Sequence, residues 1–175
     1  SIQVAKDNGC LISFDPNLRL SLWKTPEEAR RRILYGMKQC DIMKISEEEV
    51  AFVSEQESLE KGVSFIRDNS DIKILFVTLG NKGSIAYYKD EKIYCGGIHQ
   101  EHVVDTTGAG DTFCGAVLSR ILELGTDALT EKDIREMLLF ANAAASIVVT
   151  RKGALCSMPE PEEIRAASSL IDKVL

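Results

Sequence analysis

A chain of 175 residues, 45% hydrophobic and 27% charged, is long enough to bury one proper core and has the composition of an ordinary globular protein. Its net charge of -6 argues against general nucleic-acid or anionic-membrane binding, which needs a basic footprint. A nucleotide stays within reach, because a few focused dipoles and cations suffice to hold one.

No apolar run reaches the length of a membrane span, and no signal peptide is visible. Cys10, Cys40, Cys95, Cys114 and Cys156 are scattered, odd in number and form no C-x-x-C. They predict buried, reduced thiols in a cytoplasmic protein. His99 and His102 stand three apart with no third zinc ligand evident nearby.

In chain order, Ser1 to Asn8 reads as the tail of an amphipathic helix that runs straight into an apolar strand, Cys10 to Phe14. That start predicts entry in the middle of a fold, as in a portion of a longer protein. A helix follows from about Pro26 to Lys38, with Thr25 as N-cap and Glu28 completing a capping box. Asp41 to Ile45 is a short strand, and Ser46-Glu47-Glu48-Glu49 opens another helix. Leu59 to Asp68 is helical, and Ile72 to Leu79 is the strongest strand. Ser84 to Tyr88 and Lys92 to Cys95 flank Lys89-Asp90-Glu91 as a hairpin. A Gly-rich turn after Val104 leads into a helix from about Asp111 to Leu124. Thr130 caps a long helix towards Val149, and Glu160 to Val174 closes the chain as a helix. Strands alternating with helices predict an α/β fold: a three-layer, mostly parallel sheet with helices on both faces, formed as a single unit over residues 1–175. Ligands in such sheets sit at the carboxyl ends of strands. The loops Asp15–Arg19, Ser46–Glu49, Leu79–Gly83 and Asp105–Asp111 therefore carry the expected chemistry.

The strongest motif is Asp105-Thr106-Thr107-Gly108-Ala109-Gly110-Asp111. Small residues at 108 to 110 allow a tight turn whose N–H groups converge at a helix N-terminus, which is an anion site. An Asp beside an anion hole repels the phosphate unless its carboxylate faces an incoming hydroxyl and takes the proton. The plain alternative is a glycine turn with Asp111 as helix cap. The full string arises by chance in a chain of this length only about once in a hundred thousand, which favours the chemical reading. No G-x-x-x-x-G-K-[ST] is present, and Phe113 breaks a G-x-G-x-x-G pattern, so neither a P-loop nor a dinucleotide fingerprint applies.

The string Asp105–Phe113 resembles the C-terminal signature of the ribokinase-like (PfkB) carbohydrate kinases. Phe14-Asp15-Pro16-Asn17-Leu18-Arg19 with Leu22-Trp23 is similar to the fructokinase branch. Thr78–Gly83, Ala141–Ala145 and Thr150–Ala154 match further family segments in the right order. The resemblance spans nearly all of this chain but only the C-terminal half of the family. It implies that the sugar-contacting and lid half is not included.

What the resemblance implies residue by residue is as follows. Asp111 is the base, and Gly108, Ala109 and Gly110 form the anion hole. Asn17 and Arg19 face the phosphates, although Arg19 also reads as a surface charge. Ser46 stands where the family carries Asn, and Glu49 organises Mg²⁺ through water; by spacing alone the pair is a capping box. Thr78, Leu79, Gly80, Asn81, Lys82 and Gly83 border ATP, or serve only as a strand-to-hairpin turn. Asn142 offers an amide edge to the base among small alanines, or packs a helix on the sheet. Asp105, Thr107, Val148, Arg151, Gly153 and Ser157 supply oxygens for K⁺. The implied activity is phosphorylation of a small sugar by ATP, fructose to fructose 6-phosphate. The alternatives are another kinase of the family, such as a 2-keto-3-deoxygluconate kinase, or a nucleotide-binding fragment without turnover. The parent protein is expected to be cytoplasmic and a homodimer, without nucleic-acid or membrane partners.

Overall fold

The computed structural model describes residues 1–171 and divides into two compact units, where the sequence reads as one. The first unit holds Ser1–Thr78 with Tyr87–Asp90, and the second holds Leu79–Ala86 and the chain from Glu91 onward.

In the first unit, α1 (Ile2–Asp7) precedes β1 (Ser13–Phe14), α2 (Pro26–Met37), β2 (Ile42–Ser46), α3 (Glu47–Ser54), α4 (Leu59–Asp68) and β3 (Ile74–Thr78). β1 pairs with β2, and β2 with β3, all parallel. The register sets Ser46 of β2 directly beside Thr78 of β3, so two expected site residues share one end of the sheet. β2 and β3 are apolar on both faces: Ile42, Met43, Ile45, Ile74, Leu75, Phe76 and Val77 are all buried. That is the pattern of a parallel strand covered on both sides. Ala29, Ile33 and Met37 recur at helical spacing to form the buried stripe of α2.

β1 is shorter than the apolar run Cys10 to Phe14 predicts. Ile12 meets the neighbouring strand through a side chain: its N–H donates to Asp41 Oδ2 at 2.8 Å, while its carbonyl accepts the N–H groups of Asp41 and Ile42. The aspartate takes the place of a ladder partner, so regular pairing begins only at Ser13.

The second unit contains most of β4 (Gly83–Tyr88), then β5 (Glu91–Gly96), α5 (Ala109–Leu124), α6 (Glu131–Val148) and α7 (Pro161–Ile171). A two-residue turn at Lys89-Asp90 joins β4 to β5, a length that only antiparallel neighbours can use. The sheet, ordered β1-β2-β3-β4-β5, is therefore mixed. α6 packs on α5, α7 and β5, and its buried Ile134, Met137, Leu138, Ala141, Ala144 and Val148 fill the centre of this unit. Thr130 caps it with a full capping box, accepting the Asp133 N–H while Asp133 accepts the Thr130 N–H. The closing helix is described as far as Ile171. The rest of the span predicted to Val174 lies outside the described residues.

Candidate functional site

Two clusters of expected site residues form, one within each unit. In the first unit they gather at the carboxyl ends of β1, β2 and β3. Ser46 caps α3 by accepting the N–H of Glu49 at 3.2 Å, and Glu49 Oε2 accepts the N–H of Ser46 at 2.9 Å, a complete capping box. Glu49 is 8% exposed and does more than cap. Its Oε1 accepts the N–H of Leu18 at 2.6 Å, tying the loop after β1 to the start of α3. Each carboxylate oxygen keeps a further acceptor site, so Glu49 fits a water-mediated contact to Mg²⁺ while serving as a strut. Asn17 and Arg19 are exposed on this loop, and Arg19 Nη1 donates to the Leu18 carbonyl at 3.0 Å. Asn17 takes a left-handed φ of 44°. Its N–H donates to Asp15 Oδ1 at 3.2 Å, an Asx turn of the kind that holds such a residue in place.

Asp15 stands in the Phe14–Arg19 motif with no role of its own assigned, and Lys44 lies outside every motif, yet both belong to this cluster. Lys44 Nζ lies 3.3 Å from Asp15 Oδ2. Burial pushes the Asp15 carboxyl up, against the opposing pull of the Lys44 charge and hydrogen bond. The sequence signal was a lysine in the middle of an apolar strand, where a charge needs a partner.

In the second unit, the Gly-rich turn enters α5 at Gly108, whose φ of 83° is the left-handed conformation that glycine adopts without steric cost. Gly108 accepts the Thr112 N–H at 2.8 Å, so α5 starts at Ala109 rather than at Asp111. Asp111 is thus the third helical residue, exposed, on a helix end that no side chain caps. The N-terminal amides and the dipole make this end fit for an anion.

The residues expected around K⁺ adjoin the turn. Asp105 Oδ1 accepts the Thr107 N–H at 2.9 Å and Oδ2 accepts the Gly153 N–H at 3.4 Å. Hydrogen bonds from Thr107, then from Gly153, hold the Asp105 carboxyl below the usual carboxylate range. Val104 donates to the Val149 carbonyl at 2.8 Å, so the two strands of the loop are stitched together. Ser157 Oγ donates to the Gly153 and Ala154 carbonyls. Arg151 reaches the Ser157 carbonyl at 3.5 Å and Glu163 Oε1 at 2.5 Å. The Val148 carbonyl accepts the Arg151 N–H at 3.1 Å. The Asp105 carboxylate thus lies against Thr107 and Gly153, while the Val148, Gly153 and Ser157 carbonyls each accept an internal hydrogen bond. Among the described residues, no three His, Cys, Asp or Glu side chains group as a metal site.

The loop expected to border a nucleotide is a single 3-10 turn, Gly80–Lys82, closed by the Leu79 N–H donating to the Gly83 carbonyl at 2.8 Å. The Lys82 carbonyl accepts from the Gly97 N–H at 3.1 Å and from Tyr94 Oη at 2.7 Å. Gly97 lies so close that a Cβ there would sit 2.2 Å from the Asn81 carbonyl oxygen. Asn142, expected to offer its amide edge to a base, is 7% exposed and has that edge engaged. Its Oδ1 accepts from Ser84 Oγ at 3.0 Å, and its Nδ2 donates to the Cys95 and Gly96 carbonyls, both at 3.2 Å. It braces α6 to the first half of β4 and the end of β5. Ser84 and Gly97 are the residues here that the motifs did not mark.

Known proteins match this chain closely. Fructokinase-1 of Oryza sativa subsp. japonica is 41% identical over 166 residues, 94% of this chain and 50% of that protein. Fructokinase-1 of Zea mays is 42% identical over the same shares. The chain therefore spans about half the length of these curated relatives. Fructokinase from Vibrio cholerae O395, solved with fructose, ADP and calcium ion, is 33% identical with a TM-score of 0.85, over 94% of this chain and 53% of that one. Aminoimidazole riboside kinase from Salmonella enterica, complexed with aminoimidazole riboside and an ATP analog, is 26% identical with a TM-score of 0.83, over 96% of this chain and 55% of that one. Residues 1–161 match the pfkB family carbohydrate kinase profile, and the chain, with that match and its Asp105–Asp111 turn at the head of α5, belongs to the pfkB family of carbohydrate kinases.

Proposed function

We propose that the protein carrying this chain transfers the γ-phosphoryl group of ATP to a hydroxyl of a small sugar, fructose before others, giving fructose 6-phosphate. The observation that carries the reading is Asp111 in the first turn of α5, directly after the left-handed Gly108. The amides of Gly108, Ala109 and Gly110 would hold the transferring phosphoryl group, and the Asp111 carboxylate would take the proton of the attacking hydroxyl. The O–H bond breaks as the new O–P bond forms, and ADP leaves with the electron pair of the broken P–O bond.

The other residues divide the remaining tasks. Thr78 and Leu79 to Gly83 border the nucleotide, with Asn142 setting the shape of that loop rather than reading the base. Asn17, Arg19 and Ser46 serve the phosphates. Glu49 orders water around Mg²⁺, which when bound neutralises charge on the phosphate oxygens. Asp105 and Thr107, with the carbonyls of Val148, Arg151, Gly153 and Ser157, are the groups that would hold K⁺ beside the turn at Gly108.

Fructose is favoured by the roughly 40% identity to plant fructokinases. A riboside acceptor, or another sugar of the family, is the second reading, favoured by the likeness to aminoimidazole riboside kinase. A reduced, cytoplasmic setting suits the free cysteines. No helix among the described residues is long and apolar enough to cross a membrane.

The test is ADP production by the complete protein with MgATP and a panel of fructose, ribosides and 2-keto-3-deoxygluconate. Fructose-dependent turnover above all others upholds the assignment. Turnover on another sugar replaces fructose but keeps the chemistry. ATP binding with no sugar-dependent turnover on the panel would sink it in favour of a nucleotide-binding module.

A further inference from the structure

We propose that Lys44 is a positioning residue for phosphate binding: from the middle of β2 it grips Asp15, and through Asp15 it fixes the turn that presents Asn17 and Arg19. The inference rests on the kinase reading above, because the task it gives Lys44 lies within that site.

Lys44 is 7% exposed and sits between Met43 and Ile45, both fully buried. A lone ammonium there would be costly, and the fold sets the Asp15 carboxylate within reach. Its Nζ lies 3.3 Å from Asp15 Oδ2 and 3.4 Å from Oδ1. The Asp15 side chain is itself 16% exposed, so this is not a screened surface pair. Asp15 then passes the constraint along the chain. Its Oδ1 accepts the Asn17 N–H at 3.2 Å, and Asn17 holds a φ of 44°. One residue on, the Leu18 N–H is taken by Glu49 Oε1 at 2.6 Å.

A left-handed turn at a residue other than glycine persists only where its surroundings hold it. Here the turn is held from both sides. Lys44 and Asp15 anchor the entry, and Glu49 anchors the exit. Glu49 is also anchored on β2, through the Ser46 N–H at 2.9 Å. Both anchors thus lead back to residues two apart on one strand, Lys44 and Ser46. The stretch that carries the exposed Asn17 and Arg19 is thereby tied to that strand at two points. A lysine that merely filled its strand would have no bearing on which way they point.

The experiment compares the complete protein with its Lys44→Met variant, its Lys44→Arg variant, and the paired change Asp15→Asn plus Lys44→Met, which leaves no lone buried charge. Backbone amide exchange is read at Asn17 and Leu18, and affinity is read for MgATP and for adenosine. In both variants lacking the ammonium, exchange at these two amides should quicken about tenfold and MgATP should bind about tenfold more weakly, with adenosine unchanged. Lys44→Arg, which can restore the pair, should return MgATP affinity to within about threefold. Equal weakening of MgATP and adenosine, or unchanged MgATP affinity beside quickened exchange, overturns the positioning role. Unchanged exchange overturns it as well. A wild-type protein that binds no MgATP brings down the kinase reading instead, while quickened exchange in the variants still upholds the hold of Lys44 on the turn.

Discussion

Ser84 Oγ donates to Asn142 Oδ1 at 3.0 Å, joining the first half of β4 to the middle of α6. The Asn142 amide also serves the Cys95 and Gly96 carbonyls, so one buried side chain holds both β4 and β5 to α6. Asn142→Ala removes three hydrogen bonds at once, those with Ser84 Oγ and with the Cys95 and Gly96 carbonyls. It should lower stability by about 2–3 kcal/mol, read from the urea midpoint. Ser84→Ala removes one bond and should cost about 1 kcal/mol. The two changes should be less than additive, because they share a partner. A large loss of ATP affinity at an unchanged midpoint would instead return Asn142 to the base.

Of the two readings the sequence allows for Asn142, the contacts agree with the one that packs its helix on the sheet. An Asn among alanines looks like a polar edge offered to a ligand, and only the tertiary fold reveals which strands it meets. Periodicity and capping made the helices legible: Leu59–Asp68 emerges with the predicted bounds, and Thr130 and Ser46 cap as the spacing implies. The Gly108–Asp111 turn was legible because its chemistry is written in consecutive residues. Asp15 with Lys44, Glu49 with Leu18, and Gly97 with Asn81 were not, because each joins segments that only folding brings together.

Gly97 bounds the Gly80–Lys82 turn by contact. A Cβ there would lie 2.2 Å from the Asn81 carbonyl oxygen and 2.8 Å from the Gly83 nitrogen, both backbone atoms that no rotamer change can move. Gly97→Ala should therefore displace the loop, weakening ATP binding about tenfold and lowering the thermal midpoint. Gly96→Ala is the control. Its nearest neighbour would be Tyr94 Oη at 3.8 Å, an ordinary contact, and it should leave both readings unchanged.

Burial pushes the Cys40 thiol up to about 12 from an ordinary 9.0. In the native chain it stays a thiol where an unfolded one would ionise. The folded value is the raised one, so its contribution to stability is present below pH 9.0 and is lost as pH rises from there towards 12. Stability should fall over that alkaline window, and less so in Cys40→Ala. At pH 8, a thiol reagent should label the exposed Cys10 and Cys156 quickly and Cys40 only after unfolding. Rapid native labelling of Cys40 would contradict its burial.

The Asp105 loop makes a prediction about salts. Screening does not distinguish K⁺ from Na⁺, whereas a cage of carbonyls with one carboxylate does so by size and ligand number. In the complete protein, turnover should rise with K⁺ and much less with Na⁺ at constant ionic strength. Asp105→Asn removes the carboxylate that Thr107 and Gly153 orient, and the difference between the two salts should shrink. Equal rates in both salts with the native residue in place would remove K⁺ from the assignment.

Asp111 allows the sharpest separation of two roles, because its position serves both. As the third residue of α5, a carboxylate gains from the helix dipole about 0.3–1 kcal/mol of stability. That gain has no bearing on turnover. As a base, it must accept a proton in the transition state, and an amide in its place cannot. Asp111→Asn keeps the size and the hydrogen-bonding reach while removing the charge. It should leave ATP affinity equal or slightly improved, since one negative charge beside the phosphate is gone. It should lower the thermal midpoint by a few degrees at most, the shift about 1 kcal/mol produces in a domain of this size. Meanwhile kcat in the complete protein should drop about 10²-fold or more. Loss of turnover alone would locate the proton acceptor at Asp111. Near-normal turnover with a lowered midpoint would leave it only the dipole, and the base would have to be sought elsewhere.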